Sequence, residues 1–133
     1  AERCLDILTY FEGAPMLATF DPANFIQVGQ DVPEAFNMLK PYIAYMHVKD
    51  ANLSDGEVVP AGMGDGHWLL LIENLRNMGY EGYLSLEPHL SNFTGFQELE
   101  QETVEKADKS QGAALFRLAA QQLKSLLKED EIQ

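Results

Sequence analysis

The sequence is short of positive charge, of cysteine and of long apolar runs, and each shortage excludes a class of protein. Nine Lys and Arg residues stand against 21 Asp and Glu residues, which gives a net charge of −12 at neutral pH. A surface of that charge repels phosphate backbones and anionic lipid headgroups, so we expect neither nucleic acid nor a membrane as a partner. The single cysteine, Cys4, excludes an intramolecular disulfide and a thiolate metal cluster.

The absence of targeting signals bears on location. No run approaches the ~20 consecutive apolar residues of a membrane span, and the first residues lack the basic stretch of a secretory signal. Together with the lone cysteine, these absences predict a soluble protein of the reducing cytoplasm. The length of 133 residues and the apolar content of 46% fit one folded domain. Because the chain opens without Met and inside a predicted helix, we expect it to be part of a longer protein.

Segments of strand type and of helix type alternate along the chain. Short apolar runs predict parallel strands covered on both faces, at about 16–20, 42–48 and 83–87. Apolar residues at helical spacing predict helices at 2–11, 32–39, 68–78 and 114–127. The polar residues 21–24 predict a turn. This order predicts an α/β fold with a parallel sheet and right-handed crossovers.

Three strands make a small sheet for this fold class. A doubly wound sheet commonly has five or more strands, and a (β/α)₈ barrel needs eight in about 250 residues. We therefore predict that residues 1–133 form a single incomplete domain, with unpaired backbone groups along both outer strands. Such edges imply either a truncated domain or a homo-oligomer in which a second copy covers them.

Three potential metal ligands lie near the C-terminal ends of the predicted strands. Asp21, His47 and Glu87 lie at or just before the C-terminal strand ends, where parallel α/β folds place their chemistry. Because parallel neighbours align their ends, we expect the three side chains to converge. Two carboxylates and an imidazole suit Mn²⁺, Zn²⁺, Co²⁺ or Fe²⁺ and leave positions open for substrate oxygens. The alternative for each residue alone is a solvated side chain at a strand end.

Four stretches and the long last helix carry a family resemblance. The stretches are FDPANF at 20–25, HVKD at 47–50, GMGDGHW at 62–68 and IENLRNMGYEGYLSLEPH at 72–89. They resemble the xylose isomerase-like (β/α)₈ barrels, the sugar phosphate isomerase/epimerase superfamily, over essentially the whole chain. The resemblance implies that the chain is the C-terminal part of a TIM barrel, with the three strands as the family's sixth to eighth.

The resemblance also implies a metal centre and a reaction. Members of the ketose 3-epimerase type hold one divalent metal ion by Glu, Asp, His and Glu, and Asp21, His47 and Glu87 match the last three. By this likeness the metal is Mn, Co, Zn or Mg, and the substrate is a sugar or a sugar phosphate. Glu87 is also implied as the catalytic acid/base beside the carbonyl, with a second glutamate on the other face of the sugar. That glutamate belongs to an earlier strand outside the sequence, so we expect the chain alone to be inactive.

Four further residues are candidates for substrate binding. Asn24 lies three residues after Asp21, where many relatives carry a polar residue that binds substrate, and its alternative is a turn position. Lys49 is predicted to contact a substrate hydroxyl or phosphate, and Asp50 to orient His47 or Lys49. Solvation at a strand end is the alternative for both. His89 is predicted to touch substrate or to pack within its loop.

The two residues at the start of the predicted helix 68–78 are first interpreted as structural. His67 is predicted to open that helix near Asp65. Its alternative is a second metal ion, as in the DNA-repair nucleases of the same superfamily, which the acidic charge disfavours. Trp68 is predicted to anchor the core rather than to stack on a sugar.

The leading functional hypothesis is a fragment of a divalent-metal-dependent sugar isomerase or epimerase. A noncatalytic carbohydrate-binding piece would use the same polar cluster without metal. A structural half-barrel that pairs with another chain is a third possibility, and a dehydratase or nuclease on the same scaffold is a fourth, because fold does not choose among these activities.

Overall fold

The computed structural model describes residues 1–11, 13–87 and 109–129, and it confirms the predicted α/β fold. Three parallel strands form one sheet in the order β1-β2-β5, with β1 at Ala18–Phe20, β2 at Ile43–Val48 and β5 at Tyr83–Leu86. The helices are α1 at Glu2–Tyr10, α2 at Pro22–Gln27, α3 at Val32–Leu39, α4 at Trp68–Asn77 and α5 at Lys109–Glu129. None of the helices in these described ranges has the length and apolar character that a bilayer crossing requires.

The prediction of a turn at 21–24 was wrong, because helix α2 begins there. The Asp21 carboxylate accepts a hydrogen bond from the Asn24 backbone N–H at 3.3 Å, and Pro22 occupies the first helical position. An aspartate cap followed by proline is a helix start, since proline has no N–H to leave unpaired in the first turn. Asp31 caps α3 in the same way, with the Glu34 N–H at 2.8 Å.

A two-stranded hairpin follows β2, in a region for which the sequence indicated only a loop. Strand β3 at Asp50–Ala51 pairs antiparallel with β4 at Val58–Val59. A glycine-rich segment, residues 61–67, then leads into α4. We call residues 62–66 the glycine loop.

The sheet has one buried face and one open face within the described residues. Alternate side chains on a strand point to opposite faces. On the outer face, Phe20, Met46 and Val48 are buried, with Phe36 of α3 packed edge-on against Phe20. The opposite face, which we call the inner face, carries Thr19, Tyr45, His47, Tyr83 and Ser85, and 76% of Tyr83 is exposed. The expectation that strands are covered on both faces therefore holds only for the outer face.

Trp68 ties the start of α4 to the end of β2. Its side chain is 1% exposed, as predicted for a core anchor, and its indole N–H donates a hydrogen bond to the Lys49 carbonyl at 3.3 Å. Leu71, Ile72 and Leu75 continue the buried side of α4 and belong to the same hydrophobic core as Phe20 and Met46.

Replacement of Trp68 tests this anchor. We expect Trp68→Phe to lower the free energy of unfolding by about 1–3 kcal/mol, because it removes an indole hydrogen bond and leaves a void. Urea unfolding followed by circular dichroism measures the change. Leu69→Ala is the control, since Leu69 is on the same helix and 46% exposed, and we expect its effect to stay within about 0.5 kcal/mol. Equal stability of the Trp68→Phe chain and the unchanged chain would contradict the assignment.

Candidate functional site

Parallel pairing brings the three predicted ligands together at one end of the sheet. His47 is opposite Ser85 in the register of β2 and β5, and Phe20 is opposite Met46 in that of β1 and β2. Asp21 and Glu87 directly follow their strands and so lie at the same edge as His47. One potential ligand atom from each of the three lies within 4.8 Å of the other two. The predicted convergence is therefore present in the structure.

The cluster includes a fourth charged group, the ammonium of Lys49. Its Nζ lies 2.9 Å from Asp21 Oδ2 and 3.1 Å from Glu87 Oε2. His47 Nδ1 lies 3.0 Å from Glu87 Oε2 and 3.7 Å from Asp21 Oδ2. The side chains of Asp21 and Lys49 are almost fully buried, whereas about one third of His47 and of Glu87 is exposed. The cluster thus has a buried side and a side that faces the solvent.

The two carboxylates differ in how firmly they hold a proton. Burial raises the pKa of Asp21, although Lys49 and the Asn24 amide act in the opposite direction. Burial acts on Glu87 in the same sense, but Lys49 and His47 outweigh it and hold the pKa of Glu87 below its usual value. For Lys49, burial acts to lower the pKa, yet Asp21 and Glu87 prevail and raise it. Glu87 is accordingly the carboxylate that stays ionised most readily.

The two oxygens of the Asp21 carboxylate have different partners, one in helix α2 and one in the cluster. Oδ1 accepts the hydrogen bond from the Asn24 N–H at the start of α2. Oδ2 is buried, and the Lys49 ammonium lies 2.9 Å from it, so this ion pair compensates the desolvation of the carboxylate.

The chemistry of the converging donor atoms fits a divalent metal ion. Asp21, His47 and Glu87 form the candidate metal ligands, and they are the group of three among the described residues whose donor atoms converge in this way. Carboxylate oxygen and imidazole nitrogen are ligands for Mn²⁺, Zn²⁺ and Co²⁺. His67 does not join this group, so the alternative of a second metal ion finds no support in the described part of the chain.

The structure gives Asp50 different contacts from those that the sequence suggested. Its carboxylate does not bond His47 or Lys49 but accepts four backbone hydrogen bonds, from Ala51 and Gly66 on Oδ1 and from Gly62 and Gly64 on Oδ2. The distances are 2.8–3.1 Å, and Asp50 is fully buried. Asp50 therefore holds the glycine loop against the start of β3.

Two glycines are required by this close approach. A Cβ at position 66 would lie 2.6 Å from Asp50 Oδ1, and one at position 64 would lie 2.5 Å from the Ala51 carbonyl oxygen. Gly62 adopts φ +84 and faces Leu126 of α5. The GMGDGHW stretch thus has a structural explanation, which local sequence patterns do not reveal because the contacts span more than ten residues.

The other candidates lie beside the cluster or outside the described residues. Asn24 is exposed and lines, with Thr19 and Asp21, an open cavity of about 990 Å³. His67 directly precedes α4, as predicted, with φ 53. His89 lies outside the described residues, so its role remains a prediction. Lys49 reaches the cluster, although in this structure its ammonium contacts carboxylates.

Comparisons with known proteins agree with the fold. Residues 1–112 match the sequence model of a family described as xylose isomerase-like TIM barrel. A crystal structure described as a xylose isomerase domain protein from Planctomyces limnophilus matches with a TM-score of 0.70 and 23% sequence identity. The match covers 99% of this chain and 45% of that chain, so this chain spans a little under half the length of its structural relative. No curated protein matches the sequence closely enough to count as a relative.

The role of Asp50 can be tested with an isosteric change. In Asp50→Asn, one carboxylate oxygen becomes an NH₂ group, and either orientation of the amide sets that donor against two of the four backbone N–H groups. We expect the free energy of unfolding to fall by at least about 2 kcal/mol, because buried donors lose their acceptor.

The control is Asp55→Asn, in the neighbouring hairpin. The exposed Asp55 accepts one hydrogen bond, from the Glu57 N–H at 2.9 Å, which an amide oxygen can still accept. We expect its effect to stay within about 0.5 kcal/mol in the same urea titration. A similar small effect for Asp50→Asn would show that the carboxylate does not hold the glycine loop.

Proposed function

The chain belongs to the xylose isomerase-like TIM-barrel family, and from this premise we propose that it is the C-terminal part of a divalent-metal-dependent sugar isomerase or epimerase. The convergence of Asp21, His47 and Glu87 within 4.8 Å, at the ends of three neighbouring parallel strands, is the observation that carries the proposal. The description of the structural relative as a xylose isomerase domain protein supports a sugar as the substrate.

The residues of the cluster have distinct tasks under this proposal. Asp21, His47 and Glu87 would hold a metal ion such as Mn²⁺, Co²⁺, Zn²⁺ or Mg²⁺. A divalent ion at this position supplies polarisation of the carbonyl and hydroxyl oxygens of a sugar. Asp21 fixes the geometry, since the cap of α2 immobilises its carboxylate.

Glu87 is the group that moves a proton. Its side chain is one third exposed at the end of β5, and Lys49 and His47 favour its ionised form. An ionised carboxylate can accept the proton from the carbon next to a carbonyl and return it to the neighbouring position. Epimerisation also needs an acid on the opposite side of the sugar, which the family resemblance assigns to a glutamate on an earlier strand. We therefore expect no epimerisation by this chain alone.

The substrate would reach the cluster at the strand ends, because the interior of a closed barrel is packed with side chains and its chemistry lies at the C-terminal face. Asn24 is exposed and lines the open cavity next to Asp21, so its amide is available to a sugar hydroxyl.

Calorimetric titration of the purified chain with MnCl₂ tests the metal centre. We expect saturable binding, and we expect Glu87→Gln and His47→Ala each to raise the dissociation constant at least about tenfold. Loss of even an outer partner of a metal ligand costs about 10–100-fold in affinity, and loss of a ligand should cost no less. Circular dichroism of each variant checks that it is folded.

Two further titrations provide a control variant and a test of sugar binding. His67→Asn is the control, because it removes an imidazole outside the cluster and keeps a residue that tolerates the left-handed conformation of position 67. D-xylulose, added to the Mn²⁺-loaded chain, should give binding heat that disappears when MnCl₂ is omitted. Manganese affinity that is unchanged in both cluster variants would refute the metal centre. Sugar binding that is independent of manganese would refute the role of the metal ion in binding substrate.

A further inference from the structure

The buried Lys49 ammonium lies among the candidate metal ligands. It contacts Asp21 Oδ2 and Glu87 Oε2, which belong to two of the three candidate ligands. The Lys49 side chain is 7% exposed, and the residue directly follows β2, two positions after His47. The cluster therefore already contains a cation, built into the chain.

A metal ion and this ammonium compete for the same oxygens. Metal–oxygen bonds in such sites are about 2.0–2.2 Å long, so an ion bound to Asp21 Oδ2 lies no more than about 5 Å from Lys49 Nζ in its present position. Both are positive, and both need the lone pairs of the same carboxylates. In this buried place their repulsion is weakly screened.

The backbone of Lys49 is held in place, so only its side chain can move away from a bound metal ion. The indole of Trp68 donates to the Lys49 carbonyl, and the next residue, Asp50, is held by the glycine loop. The lysine side chain has four flexible methylenes. About one third of His47 and of Glu87 is exposed, so the ammonium can move towards the side of the cluster that faces the solvent.

We propose that Lys49 is the resident counter-cation of Asp21 and Glu87 in the metal-free protein, and that a divalent metal ion binds by displacing its ammonium from between these two carboxylates. This inference rests on the proposed metal centre and adds an occupant that sets its affinity. Lys49 lowers the affinity for metal by the free energy needed to move it, and it stabilises the protein when no metal is bound.

The charge-free variant Lys49→Met separates these two effects. We expect it to bind Mn²⁺ at least about tenfold more tightly than the unchanged chain in calorimetric titration, because a competitor has been removed. We also expect its metal-free form to melt at a lower temperature than the unchanged chain, and saturating MnCl₂ to abolish that difference. Lys40→Met is the matched control, since Lys40 is exposed at the opposite end of β2 and its loss removes the same charge.

Chemical labelling of the unchanged chain provides an answer that does not depend on the folding of a variant. Acetylation by acetic anhydride, read at each lysine by mass spectrometry, should be slow at Lys49 without metal and faster with saturating MnCl₂, while Lys40 reacts equally in both. Labelling of Lys49 that is unchanged or slower with Mn²⁺ overturns the displacement.

The outcomes distinguish this inference from the proposed function. Manganese binding of equal or lower affinity in Lys49→Met overturns the inference and leaves the metal centre intact. Absence of manganese binding in the unchanged chain and in Lys49→Met overturns the metal centre, and the inference with it. Tighter binding in Lys49→Met, together with metal-dependent labelling, supports both.

Discussion

The parallel pairing of β1, β2 and β5 is the constraint on which the site depends. It aligns the C-terminal ends of three strands that are separated along the chain, and residues 21, 47 and 87 meet only because those ends are level. The pairing is held by the outer layer, where Phe20, Met46 and Val48 are buried beneath the helices. Apolar burial on one face of the sheet thus fixes polar geometry on the other.

Much of this arrangement follows from local signals in the sequence. The three strands of the parallel sheet lie within the predicted ranges, and α4 begins at the predicted Trp68. The three candidate ligands were found because each lies near the end of a short apolar run, and level strand ends are a general property of parallel sheets. The start of α2 was missed, although Asp21 and Pro22 carry the same type of signal that correctly located α3 at Asp31.

The contacts that the sequence did not reveal are those between distant segments. The carboxylate of Asp50 meets amides 12 to 16 residues further along the chain, and no periodicity encodes such a meeting. Lys49 reads as a residue at a strand end, yet it is buried between two carboxylates. Its position depends on the packing of Trp68 and on the turn of Asp50 into the glycine loop, both of which require the assembled fold.

The alternation of β2 has a consequence for how this chain can change in evolution. His47 points to the inner face, while its neighbours Met46 and Val48 point to the buried layer. Loss or gain of one residue within this strand would exchange the two faces, placing an imidazole among apolar side chains and a methionine in water. A single-residue insertion or deletion in β2 therefore disturbs every side chain that follows it in the strand, and length variation among natural variants should be confined to connections such as the hairpin tip at 52–57.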